Sequence, residues 1–217
     1  MPSSGRRANG GDLALIDAGG ANLGSVMVAL GRIGAAPRLV RDAAELGDPE
    51  RIILPGVGAA APSMTLLRER GLDVALRTSD APLLGVCVGM QLLFESSEEG
   101  EVACLGLLPG RVRRLAGGPG LRIPHMGWNR LRLRPGAAAS PLLAGIDEGD
   151  YAYFVHSYAL PADGDGGDCD CILAETDHGA RFAAIVGSGR RYGAQFHPER
   201  SSALGLRLLD NFLKLPA

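Results

Sequence analysis

No apolar run in the 217 residues is long enough to cross a bilayer. The most apolar segment, APLLGVCVGMQLLF, reaches only from Ala81 to Phe94 and holds two glycines, whereas a spanning helix needs about 20 apolar residues. The opening MPSSGRRANGG is small, polar and basic, and Asp17 interrupts the LALIDAGG that follows, so no apolar stretch of signal-peptide length is present. Residues 1–11 read as a disordered tail. A basic excess is also missing: the formal net charge is −2, which argues against nucleic acid as the main partner. Two short basic runs, Arg111, Arg113, Arg114 and Arg130, Arg132, Arg134, read as solvated faces of strands, with an anionic partner as the alternative. Cysteine is sparse. The four, at 87, 104, 169 and 171, have neither the CxxC pairs of a zinc site nor the density of a secreted disulfide scaffold. They suit a reducing cytoplasm, and neither a metal nor a membrane is expected.

What is present is the composition of an ordinary globular protein, 46% apolar and 21% charged, with length for one sizeable core. We take 12–217 as a single domain. In the first half, short apolar strands (Leu13–Ile16, Arg38–Val40, Ile52–Leu54, Leu83–Val86) alternate with helical stretches (Leu23–Ile33, Met64–Arg70, and a third starting after Cys87). That alternation predicts a mostly parallel sheet covered by helices on both faces. From about Gly106 the texture turns β-rich, with expected strands at Arg111–Leu115, Asn129–Arg134, Ala152–Tyr158, Ile172–Glu175, Phe182–Val186 and Tyr192–Gln195. Asp163–Asp170 reads as a turn. Cys169 and Cys171 beside it are expected on one face of a strand, with too few neighbours to hold a metal. Leu204, Leu208, Leu209 and Phe212 mark one face of a C-terminal helix.

The sharpest local pattern is PLLGVCVGMQLL, a Gly-x-Cys-x-Gly turn at the end of a buried strand. In such an elbow a nucleophile is held in a strained conformation, and small flanking residues let neighbouring chain approach. A helix beginning after Cys87 would favour the thiolate through its dipole, and the Val88 N–H would be an oxyanion donor. The alternative is a buried, inert cysteine. A second pattern is QFHPERS. His197 offers the base that a cysteine nucleophile needs, and Glu199 can orient its imidazole because Pro198 stiffens the spacing between them. A third is RIILPGVGAAAPSM, where glycines around Val57 would let a second backbone N–H reach an oxyanion. That segment also fits a plain strand-to-loop turn.

Taken in chain order, as oxyanion loop, nucleophile elbow and His-Pro-Glu, the three patterns resemble the class I (triad) glutamine amidotransferases, from Asp12 to the C-terminal helix. The resemblance implies a three-layer α/β fold with a flavodoxin-like core, and a triad of Cys87 as nucleophile, His197 as base and acid, and Glu199 as orienter. It implies hydrolysis of glutamine through a γ-glutamyl thioester, with no cofactor. RIPHMGWN (122–129), YFVHSY (153–158) and GVCVGMQLLFE look like one branch of that family, the glutaminase subunits of imidazole glycerol phosphate synthases, which serve histidine biosynthesis. By that resemblance Gly58, Gln91, Glu99, Ser157 and Tyr158 line the glutamine pocket, while Trp128, Asn129, Tyr153 and Arg200 lie toward a partner. The implied partner is a synthase (cyclase) subunit, a (β/α)₈ barrel that forms a heterodimer with this chain and receives its ammonia. Two positions depart from the pattern: Arg200 stands where lysine is common, and Ala18 where tyrosine is usual. A stand-alone γ-glutamyl cysteine hydrolase and a non-catalytic binding subunit are the competing readings.

Overall fold

In the computed structural model, which describes residues 11–19, 23–118, 120–163 and 169–216, the apolar runs of the first half form the expected strands. They are β1 (Leu13–Ile16), β2 (Arg38–Val40), β3 (Arg51–Gly56) and β4 (Leu83–Cys87), with β1, β3 and β4 buried at every position. Strands covered on both faces need no polar alternation, which is why these read as continuous apolar runs. Between them lie α1 (Leu23–Arg32), α2 (Ala43–Leu46), α3 (Ala60–Glu69) and α4 (Leu72–Thr78), and β4 leads directly into α5 (Val88–Gln91). α2 and α4 were not expected from the pattern. α2 is a single turn started by Asp42, whose carboxylate accepts the Glu45 N–H at 2.9 Å.

The second half supplies β5 (Ser96–Ser97), β6 (Val102–Ala103), β7 (Arg111–Arg114), β8 (His125–Arg130), β9 (Arg132–Leu133), β10 (Tyr151–His156) and β11 (Tyr158–Ala159). It closes with β12 (Ile172–Asp177), β13 (Arg181–Ser188), β14 (Arg191–Ala194) and α6 (Ser202–Lys214). The main sheet runs β2-β1-β3-β4-β14-β13-β12-β9. It is parallel from β2 to β14 and antiparallel beyond. β8 pairs with β10, and β11-β7-β5-β6 form a third small sheet. Phe94, Phe154, Phe182, Phe196 and Phe212 are fully buried. The predicted face of α6 is the one that packs inward, with Leu204, Leu208, Leu209 and Phe212 all buried.

Several boundaries differ from expectation for identifiable reasons. The strand expected over Asn129–Arg134 is broken at Leu131, which is fully buried and donates its N–H to Asp150 O at 2.8 Å. There the chain passes from the small β8–β10 sheet to the edge of the main one. The strand expected over Ala152–Tyr158 splits at Ser157 into β10 and β11, which belong to different sheets. Cys169 and Cys171 precede β12 rather than lying on it, and they are joined as a disulfide. No group of residues suited to a metal ion exists among the described residues. Of the basic runs, Arg113, Arg114, Arg130 and Arg132 are exposed, whereas the half-buried Arg111 pairs with Glu101 and Arg134 with the buried Glu175. The expected tail over 1–11 (apart from Gly11) and most of the turn over 163–170 lie outside the described residues.

Candidate active site

β3 and β4 run parallel with Gly56 opposite Cys87, so the ends of both strands meet at one point. Cys87 sits there at φ 54°, ψ −114°, a conformation that costs an L-residue energy and persists only where the surroundings enforce it. The enforcement is steric. A Cβ on Gly89 would lie 1.8 Å from the Leu54 carbonyl oxygen, and one on Gly85 would lie 2.5 Å from the Gly89 oxygen. Glycine on both sides of the cysteine is therefore a packing requirement. One expectation needs correction: α5 is a single turn, so Cys87 faces a few local N–H groups and not the summed dipole of a long helix.

β14 lies parallel to β4 with Ala194 opposite Val86, which sends the chain leaving β14 past the end of β4. The strand stops at Ala194, one residue earlier than expected, and Gln195 and Phe196 are fully buried before His197 emerges. Pro198 then opens a short 3₁₀ turn, Pro198–Arg200. His197 Nδ1 lies 2.9 Å from Glu199 Oε1, whose side chain is 1% exposed. The backbone of His197 is also held: its N–H donates to Tyr153 O at 3.0 Å, and Ser201 Oγ donates to His197 O at 2.8 Å. Ser201 Oγ in turn accepts the Tyr153 N–H at 3.0 Å. Burial disfavours the charged imidazole, but hydrogen bonds and charge from Cys87 and Glu199 outweigh it and raise the His197 pKa to about 10. An imidazolium thus stands beside the sulfur at neutral pH.

Cys87 and His197 open on a cavity of about 490 Å³. Its walls contain Val57 and Val88, expected as oxyanion donors, and the whole expected glutamine set of Gly58, Gln91, Glu99, Ser157 and Tyr158. Gln91 Nε2 donates to Tyr158 O at 2.7 Å and to Gln195 Oε1 at 3.1 Å, whereas Gln91 Oε1 is buried with no partner among the described residues. Glu99 accepts the Ala60 N–H at 2.8 Å, at the start of α3. Burial raises its carboxyl pKa against the opposing effect of that bond. A buried cysteine at a strained turn, an imidazole held beside it and a cavity with both polar and apolar walls have the parts that acyl transfer at an amide carbonyl would use.

His156 forms part of the same wall. Its Nδ1 faces Tyr158 O at 2.9 Å, and a carbonyl only accepts, so the proton is on Nδ1. Nε2 then accepts from His125 Nδ1 at 3.3 Å, and the His125 ring stacks on His178 with centroids 4.2 Å apart. Burial is the largest cause for both: it lowers His156 to about 3 against the raising effect of the Tyr158 hydrogen bond, and His125 to about 4. Both are neutral rings in a packed cluster with Phe154 and Phe182.

Outside the cavity, β8 and β10 place Trp128 opposite Tyr153, with rings 5.8 Å apart. Met126, Trp128 and Tyr151 of this face are exposed by 64%, 50% and 48%. Arg200 is exposed at the cavity wall. Asn129 does not join that face. Alternation turns it to the other side of β8, where Nδ2 donates to Asp177 O at 2.5 Å.

The glutamine amidotransferase class-I family model matches residues 14–215. The chain belongs to the class-I glutamine amidotransferases. This amidotransferase is 58% identical over 207 residues to the imidazole glycerol phosphate synthase subunit HisH of Xylella fastidiosa, covering 95% of this chain and 98% of that one. It is 57% identical over 204 residues to the same subunit of Xanthomonas oryzae pv. oryzae, covering 94% and 98%. Among solved structures, a glutamine amidotransferase superimposes with a TM-score of 0.71 at 22% identity over 94% of this chain and 98% of that one. The glutaminase domain of Trypanosoma brucei CTPS, with bound acivicin, gives 0.56 at 16% over 95% of each. These two likenesses concern the fold alone. The amidotransferase has no helix, among its described residues, long and apolar enough to cross a membrane.

Sequence reasoning missed three residues that shape the amidotransferase site. They are His156 in the cavity wall, Ser201 behind His197, and Gln195, whose Nε2 lies 3.9 Å from Cys87 Sγ. Gln195 carried a signal, since an amide in an apolar strand end is worth questioning for its partner. Ser201 has one partner four residues away, His197 O, but its bond to Tyr153, 48 residues away, carried no local signal.

Proposed function

We propose that the chain is the glutaminase subunit of an imidazole glycerol phosphate synthase, hydrolysing glutamine to glutamate and ammonia and passing the ammonia to a synthase subunit in histidine biosynthesis. The carrying observation is the Glu199–His197 hydrogen bond at 2.9 Å beside a strained Cys87, in a chain 58% identical to a HisH subunit. Cys87, as thiolate, attacks the side-chain carbonyl carbon of glutamine. The oxyanion that forms is met by the Val57 and Val88 N–H groups. The C–N bond breaks as His197 donates its proton to the leaving nitrogen, giving ammonia and a thioester. His197 then takes a proton from water, whose oxygen attacks the thioester, and the C–S bond breaks to release glutamate. Glu199 holds the imidazole in the tautomer this needs.

Gln91 Oε1, Glu99, Ser157, Tyr158 and Gly58 bind the amino-acid end of glutamine. The unpaired Gln91 oxygen and the Glu99 carboxyl suit an ammonium group. Trp128 and Tyr153, with Arg200 at the cavity wall, form the docking face for a (β/α)₈ partner in a heterodimer. Asn129 supports β8 from behind. The protein works in the cytoplasm without a cofactor. A stand-alone γ-glutamyl hydrolase would have no use for the exposed aromatic pair on β8 and β10. In the reconstituted complex, Cys87→Ala should abolish synthesis from glutamine and leave synthesis from added ammonia intact. Glutamine-dependent synthesis by Cys87→Ala would refute the assignment.

A further inference from the structure

Two polar contacts of the Cys87 sulfur, besides that with His197, make opposite demands on it. The Val155 carbonyl oxygen lies 3.8 Å away and is satisfied only by an S–H donor. On ionisation of the thiol, that oxygen faces an anion. From another side, Gln195 Nε2 lies 3.9 Å from the sulfur, within the reach of an N–H···S contact, and an amide N–H interacts more strongly with an anionic acceptor than with a neutral one.

Neighbouring groups fix which end of Gln195 faces the sulfur. The Tyr158 carbonyl can only accept, so Gln91 presents its NH₂ there at 2.7 Å. The second hydrogen of that NH₂ points to Gln195 at 3.1 Å, which must answer with its oxygen. The Gln195 NH₂ is then left toward Cys87. Gln195 is fully buried and does not line the cavity, so it is shut off from bulk solvent and away from the substrate's place. It is an uncharged donor locked behind the nucleophile by a chain of two amides anchored on a backbone carbonyl.

We infer that Gln195 is a positioning residue that stabilises the Cys87 thiolate by hydrogen bonding and offsets the Val155 carbonyl, with Gln91 holding it in register. The inference rests on the reading of Cys87 as nucleophile. It adds a second thiolate-stabilising group to His197 and gives Gln91, in the cavity wall, a link to the sulfur. The other titratable or charged groups near the sulfur are His197 with Glu199 behind it and, across the cavity, His156, Glu99, Tyr158 and Arg200.

The test is the pH dependence of Cys87 alkylation by iodoacetamide, read by peptide mass spectrometry on the full chain. Only the thiolate reacts, so the midpoint reports ionisation without needing turnover. Cys104 is an internal control, because burial pushes its thiol up to about 11. Gln195→Met keeps length and volume but removes the donor, and Gln195→Glu keeps the acceptor for Gln91 while placing oxygen on the sulfur. Gln195→Met should move the midpoint up by about one pH unit, a roughly tenfold loss of thiolate at a given pH, as for a hydrogen bond to a charged group. Gln195→Glu should move it further. Thermal melts verify that each variant is folded, and either one alone decides the matter. An unchanged midpoint in a folded variant overturns the inference and leaves the nucleophile assignment standing. Failure of a glutamine-like electrophile to label Cys87 in the unaltered protein overturns the reading beneath it.

Discussion

Lowering the pH from 7 to 5 should withdraw about 4 kcal/mol of stability through two buried histidines, His125 and His156, the second of which lines the cavity. His125 and His156 are 4% and 6% exposed and are neutral in the fold, with pKa values lowered to about 4 and about 3, chiefly by burial. In the unfolded chain each returns to about 6.5. The unfolded state therefore binds more protons below that value, and stability is lost as the pH falls through the interval between 6.5 and the folded values. At pH 5 both rings are still neutral in the fold and almost fully charged out of it, which costs about 2 kcal/mol apiece relative to pH 7. That is a large share of the roughly 5–15 kcal/mol a domain of this kind has in total. His197 has the opposite sign. With its folded value raised to about 10, its contribution is complete well below 6.5 and declines as the pH rises through 6.5 towards 10, so between pH 7 and pH 5 it returns about 1 kcal/mol and the net loss is about 3 kcal/mol. Ordinary carboxylates titrate mostly below pH 5 and add little in this interval. Urea unfolding followed by circular dichroism at pH 7 and pH 5 gives the loss directly. His156→Asn retains a donor for the Tyr158 carbonyl without a titrating ring, and its loss between the same two pH values should be smaller by about 2 kcal/mol. If the unaltered protein is equally stable at both, or if His156→Asn shows the full loss, the cluster does not behave as described.

Gly89→Ala should cost more than about 3 kcal/mol, because the added methyl falls 1.8 Å from the Leu54 oxygen and neither backbone can withdraw without disturbing the elbow. Denaturant titration checks this, and a stable, folded Gly89→Ala would show that the elbow tolerates a side chain. Trp128→Ala should weaken binding of the synthase subunit about thirtyfold or more, the scale of an aromatic interface anchor. Its melting temperature should barely change, since the ring is 50% exposed in the free chain. Calorimetric titration with the synthase subunit reads the affinity, and an unchanged value would move the docking face elsewhere.

Much of this site is visible in the chain itself because its determinants are local. β1 and β4 are continuous apolar runs, the elbow is set by two glycines within two residues of Cys87, and Glu199 reaches His197 across a single proline. What escaped sequence reasoning depends on pairing between distant segments. Leu131 alternates like any strand residue, and only its contact with Asp150 shows that the chain changes sheets there. Asn129 follows Trp128 in sequence, yet the pleat turns it away from the exposed face. Gln195 meets the sulfur only because β14 lies against β4, and a helix start after Cys87 did not reveal that α5 lasts one turn. The Cys169–Cys171 disulfide closes a loop too short for any spacing rule used on the four cysteines.

The central claim is that Cys87 is the nucleophile of a glutaminase, and covalent labelling tests it most directly. Treatment with a diazoketone analogue of glutamine, followed by tryptic mass spectrometry, should give one adduct, on the peptide containing Cys87, with protection by excess glutamine. Absence of an adduct, or labelling of Cys104 with Cys87 unmodified, would contradict the account.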